Sequence, residues 1–127
     1  MVAEMPESTP STRWIMLLRG ELDLATGPPL NARIDRIMSG APMALVLDLA
    51  DIEFIDCYGL RPLVRAYNRY DNWLSLQRPS EPVRRVLQIT GLLDVLPLLP
   101  DADAWPIDPH DDGGVRLPHR LYVCDPY

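Results

Sequence analysis

Apolar residues along this chain change their spacing several times, and each change marks a new element. Trp14-Ile15-Met16-Leu17-Leu18 is a short unbroken apolar run closed by Gly20, which fits a buried strand better than so brief a helix. Leu30, Ile34 and Ile37 then recur at helical spacing, with Asn31, Arg33, Asp35 and Arg36 between them. Pro28 and Pro29 stand where a first helical turn tolerates them, because the amides there have no intrahelical partner, and Gly40 and Pro42 end the pattern. Met43 to Leu49 is apolar on both parities, as in a strand covered on both faces at the centre of a sheet. Leu60, Leu63, Val64 and Tyr67 predict a second helix after the turn Asp56-Cys57-Tyr58-Gly59. Pro62 cannot donate to the carbonyl four residues back, so a shifted start or a kink is expected there. A short strand at Trp73 to Leu76 precedes a third helix, opened by Pro79-Ser80-Glu81-Pro82, striped by Val83, Val86 and Leu87 and capped by Gly91. Strands alternating with three helices predict an α/β sandwich with helices mainly on one face.

Length and composition set the limits of this unit. A chain of 127 residues suits one domain with a modest core. Residues 1–12 are short of core-forming side chains and read as a flexible N-terminal lead-in, and residues 13–99 carry the domain. From Pro100 onward five Pro, six Asp and two Arg in 28 residues read as an acidic, Pro-rich C-terminal tail. Within it Arg120 to Cys124 has the residue types of a strand and is expected to dock on an open sheet edge.

The basic residues are 12 Arg with no Lys, against 18 acids, for a net charge of -6. Residues 1–99 hold 12 acids and 10 Arg, net -2, so the tail, with 6 acids and 2 Arg, holds most of the acidity. Such a balance argues against nucleic acid, whose phosphates need a cationic footprint. No apolar run approaches the roughly 20 residues of a membrane span. The N-terminus, with Glu4 and Glu7, is neither a secretory nor a transit peptide, so the cytoplasm is expected. Arginine without lysine, among many Ala and Pro, suits a GC-rich bacterial source. Two cysteines, Cys57 and Cys124, are too few for a disulfide scaffold or a four-Cys zinc site.

Candidate chemistry is sparse. Glu21, Asp23 and Asp56 have no His or other base near them in sequence, and they suit caps or partner contacts better than acid/base catalysis. A Cys-His pair would need Cys57 to meet His110 or His119 in the tail. The tail aspartates lack the alternating ligands of a calcium loop, and no Gly-Lys-Ser/Thr phosphate loop occurs. Neither a metal nor a cofactor is expected, and no enzyme. Tyr70 and Trp73 are candidate interface anchors.

The segments Arg19-Gly20-Glu21-Leu22-Asp23, Leu47-Asp48-Leu49, Phe54-Ile55-Asp56-Cys57-Tyr58-Gly59-Leu60 and Pro79 to Leu92 together resemble the STAS domain of bacterial anti-sigma factor antagonists. The resemblance implies a mixed four- to five-stranded sheet. It also implies a transcription regulator that binds an anti-sigma factor of the serine-kinase type and relieves inhibition of a sigma factor. In such antagonists the turn reads Asp-Ser-Ser-Gly and its first Ser accepts phosphate. Here Cys57 holds that position and Tyr58 the next, so a non-phosphorylatable antagonist is expected, contacting its partner through Glu21, Asp23, Asp56, Tyr58 and Gly59. Two alternatives stand beside it. One is a STAS accessory subunit of a membrane transport complex. The other is a thiol redox sensor through Cys57, with Cys124 as a possible second thiol, where a helix N-terminus favours thiolate and Asp56 opposes it.

Overall fold

The computed structural model describes residues 13–40, 42, 44–105, 115–116 and 119–124. The lead-in expected at residues 1–12 lies outside them, as does His110. In chain order the elements are β1 (Arg13–Leu22), α1 (Gly27–Met38), β2 (Ala44–Ile55), α2 (Cys57–Tyr70), β3 (Leu74–Gln77), α3 (Glu81–Thr90), β4 (Val115–Arg116) and β5 (His119–Cys124). Three parallel strands in the order β3-β2-β1 form the centre, each followed by one of the three helices. β5 then lies parallel to β1 along Arg13 to Leu18, and the two-residue β4 runs antiparallel to β5.

The helices share one face of this sheet. There Met16, Leu18, Leu45, Leu47, Leu74 and Leu76 pack in one cluster with Leu30 and Ile34 of α1, Leu60 and Leu63 of α2, and Val83 and Leu87 of α3. On the other face Ile15, Leu17 and Val46 are covered by Leu99, at the expected domain edge, and by Trp105, beyond it. Backbone bonds hold this C-terminal segment in place: Leu76 N–H donates to the Pro97 carbonyl (2.9 Å) and Leu99 N–H to the Leu76 carbonyl (2.8 Å). The buried Gln77 side chain then acts as a peptide mimic, accepting from Trp105 N–H (2.8 Å) and donating to the Trp105 carbonyl (3.1 Å) and to buried Asp48 (2.9 Å). Arg78 Nε donates to the same carboxylate oxygen at 2.8 Å, so the buried charge is paired.

Helix α2 starts at Cys57 and runs through Pro62. An interior proline costs about 3 kcal/mol, but Leu60 and Leu63 are buried on the same helix, each contributing about 1.5–3 kcal/mol. Burial therefore outweighs the break, and the proline ring is itself buried against Gly27, to whose Cβ position it stands 3.7 Å away.

Strand β2 departs from simple alternation. Between Asp48 and Asp51, and again between Ile52 and Phe54, it uses one residue more than β1, giving two bulges. Continued alternation from Leu47 and Leu49 would turn Asp51 and Glu53 into the core. The bulges instead bring Leu49, Ile52 and Ile55 inward at three-residue intervals and leave Asp51, Glu53 and Phe54 exposed. Gly20, opposite Ile52, takes a φ of 87°, a region that favours glycine.

Candidate functional site

The carboxyl ends of β1 and β2 meet at the register pair Leu22 and Ile55, and both strands lead there into helix-starting loops. In the first loop Asp23 Oδ1 accepts from Ala25 N–H (3.0 Å) and Thr26 N–H (3.1 Å). The buried Thr26 hydroxyl accepts from Asp23 N–H and donates to the Glu21 carbonyl, both at 2.9 Å. Asp23 is thus the organiser of a closed polar turn. In the second loop Asp56 N–H donates to the Leu22 carbonyl (3.3 Å), and Asp56 Oδ1 accepts from Gly59 N–H (2.9 Å), a side-chain cap on α2.

Gly59 is buried against the end of β1, where a Cβ would stand 2.1 Å from the Leu22 carbonyl oxygen. It therefore presents no side chain to a partner and fixes how closely α2 approaches β1. Cys57 is the first residue of α2 and is exposed. Tyr58 beside it is 43% exposed, with the Arg61 guanidinium 5.3 Å from its ring centre. Glu21 is exposed and stands opposite Phe54 in the β1–β2 register. Cys124 pairs with Leu18 in the strand register, and its side chain, like that of His119, lies outside the described residues.

Two residues join this site that sequence reasoning missed. Phe54 is 48% exposed and Leu24 66% exposed, both at the same end of the sheet as Tyr58. For Phe54 the available signal was the three-residue spacing of Leu49, Ile52 and Ile55, which leaves Phe54 off the buried face. This end of the sheet carries three large exposed apolar side chains, Leu24, Phe54 and Tyr58, and a thiol, with the exposed carboxylates of Glu21 and Glu53 on the adjoining strands. Aromatic and apolar anchors within a polar rim are the composition of a protein-binding surface.

A tie joins the first two helices. Arg65 of α2 donates through both terminal nitrogens to Asp35 of α1, at 3.2 and 2.8 Å, and the Tyr70 hydroxyl donates to the same carboxylate at 2.5 Å. The Arg65 hydrogen bonds, with that of Tyr70, hold the Asp35 carboxyl below the usual carboxylate range. Burial and the bond to Asp35 push the Tyr70 hydroxyl above its ordinary value.

Among the described residues, no helix is long and apolar enough to cross a membrane. The sequence matches the STAS domain family over residues 5–104. A crystal structure of an anti-sigma factor antagonist from Mycobacterium paratuberculosis is 32% identical, with a TM-score of 0.58 over 65% of this chain and 72% of that one. The anti-sigma factor antagonist SpoIIAA in its unphosphorylated form is 24% identical, with a TM-score of 0.54 over 68% of this chain and 79% of that one, a likeness of fold. No curated protein matches the chain. A family match over most of the length, on three parallel strands with three helices on one face, means that this chain belongs to the STAS domain family.

Proposed function

We propose that this STAS protein is a bacterial, cytoplasmic anti-sigma factor antagonist that binds an anti-sigma factor and relieves inhibition of a sigma factor. The observation that carries the reading is the exposed start of α2, where Cys57 and Tyr58 lie at the same end of the sheet as exposed Phe54 and Leu24, on a scaffold with its own caps. The likeness to the mycobacterial antagonist supports it.

In this reading Cys57 occupies the place of the phosphorylatable serine. Phosphorylation there would add about -1.5 to -2 charges at the contact. A thiol is not the acceptor a serine kinase uses, so the antagonist escapes that switch and is governed by its abundance and by competition among partners. Glu21 and Glu53 offer exposed carboxylates to an arginine of the partner, whereas Asp23 and Asp56 act by shaping the loops.

Recovery of the tagged chain with its native partners tests the reading. An anti-sigma factor of the serine-kinase type is the expected companion. A transporter ATPase without any anti-sigma factor would instead favour the accessory-subunit role and overturn the proposal.

A further inference from the structure

Charge is not evenly spread on this acidic protein. Helices α1 and α2 carry five of the twelve arginines and a single acid, Asp35, which Arg65 holds at 2.8 Å and Arg69 approaches at 3.9 Å, and exposed Asp71 follows α2. On α2, Tyr58, Arg61, Arg65 and Arg69 follow one another at intervals of three, four and four, so they share one face of the helix. Arg61 lies over the Tyr58 ring (5.3 Å) and Arg69 over the Tyr70 ring (5.7 Å). Beyond the helix, Trp73 is 52% exposed and lines one cleft with Arg69, Tyr70 and Met38. The turn that presents Trp73 contains Asp71 at a φ of 48°, a strained setting for a non-glycine residue.

We propose that this stripe, from Tyr58 to Trp73, is a docking surface for an acidic protein segment bearing apolar side chains. From residue 58 to residue 69 the helix rises about 17 Å, the reach of a short peptide. Arginines supply the charge complementarity, and Tyr58 and Trp73 supply aromatic anchors at its two ends. A nucleic acid strand fits less well, because Arg65 and Arg69 already share the Asp35 carboxylate, which leaves a small cationic footprint on a chain of net charge -6. The inference goes beyond the antagonist reading: the stripe shares only Tyr58 with the surface at the carboxyl end of the sheet, and its occupant is named by charge and not by the identity of a partner.

The test is fluorescence anisotropy of the full chain with a labelled twelve-residue peptide of three glutamate-glutamate-leucine-phenylalanine repeats. Saturable binding is expected, weakened about tenfold or more by Arg61→Glu combined with Arg69→Glu, and by less than about twofold by Arg84→Glu combined with Arg85→Glu, which change net charge equally on α3. Trp73→Ala, with its charge unaltered, is expected to weaken binding about threefold to tenfold. Equal weakening by both arginine pairs, absence of saturable binding, or tighter binding of a twenty-nucleotide oligothymidylate through Arg61 and Arg69 would each overturn the proposal.

Discussion

The amide of Gly59 donates to the Asp56 side chain at 2.9 Å, while its α-carbon faces the Leu22 carbonyl so closely that a Cβ would stand 2.1 Å from that oxygen. One glycine therefore both closes the cap of α2 and sets its seat on β1. Because the obstructing atom is backbone, the strand or the helix must move to admit any side chain. Gly59→Ala is expected to lower stability by about 2–4 kcal/mol. Urea unfolding checks this, and an unchanged midpoint would show that the two elements are not in contact.

Cys57 gives a sharper prediction about regulation. With an anti-sigma kinase and ATP, the wild-type chain should take up no phosphate at position 57, and Cys57→Ser should become an acceptor, its hydroxyl lying exposed at the same helix start. Intact-protein mass spectrometry reads the outcome directly. Phosphate on Cys57 of the wild type would refute the idea of a lost switch.

The Asp35 tie carries a pH signature. Its carboxyl is held below the ordinary 3.8 by the Arg65 hydrogen bonds first and by Tyr70 second. A depressed folded-state value means that the contribution is full above the unfolded value and lost as pH falls through the folded one. Tyr70 works in the other direction: raised above 10.0 by burial first and Asp35 second, it contributes fully below that value and less as pH rises through its folded one. Asp35→Asn should therefore flatten the acid limb of stability below the ordinary carboxylate value of 3.8. Since the pair is partly exposed, salt should diminish the difference. Identical acid limbs in both proteins would mean that the tie contributes nothing.

Most of the helical layer was legible in the sequence, because apolar residues at helical spacing have few other uses. Leu30, Ile34 and Ile37 did become the buried face of α1, and Gly91 did cap α3, at a φ of 79°. Three things were hidden. Pro62 pointed to an interrupted helix, yet burial of Leu60 and Leu63 carries α2 through it. The bulges of β2 cannot be read from alternation, since they exist to break it, and so Phe54 was missed as a surface residue. The role of Gln77 was invisible too: its partner is the backbone of Trp105, and no pattern in a chain announces a contact 28 residues away.

That contact predicts the cost of losing the C-terminal cover. Gln77→Ala removes the partly buried bond from the Trp105 N–H and the buried bond to Asp48, and should lower stability by about 2–3 kcal/mol. Ending the chain after Leu99 should cost at least as much, because Trp105 is then removed from Ile15, Leu17 and Val46. Hydrogen exchange in β3 provides a second measure: protection of the Leu76 amide should persist in Gln77→Ala, where its bond to Pro97 remains. A truncated chain as stable as the whole would show that the segment is not part of the fold.

Release of a sigma factor from its complex with the anti-sigma factor that this chain captures tests the antagonist role most directly. Fluorescence anisotropy of labelled sigma factor would follow the exchange as the chain is added, with Phe54→Ser combined with Tyr58→Ala as the comparison. Stoichiometric release by the wild type is expected, undiminished by ATP, with release at least about tenfold weaker for the double variant, whose anchors at the carboxyl end of the sheet are gone. No release by the wild type, or equal release by both proteins, would contradict that role.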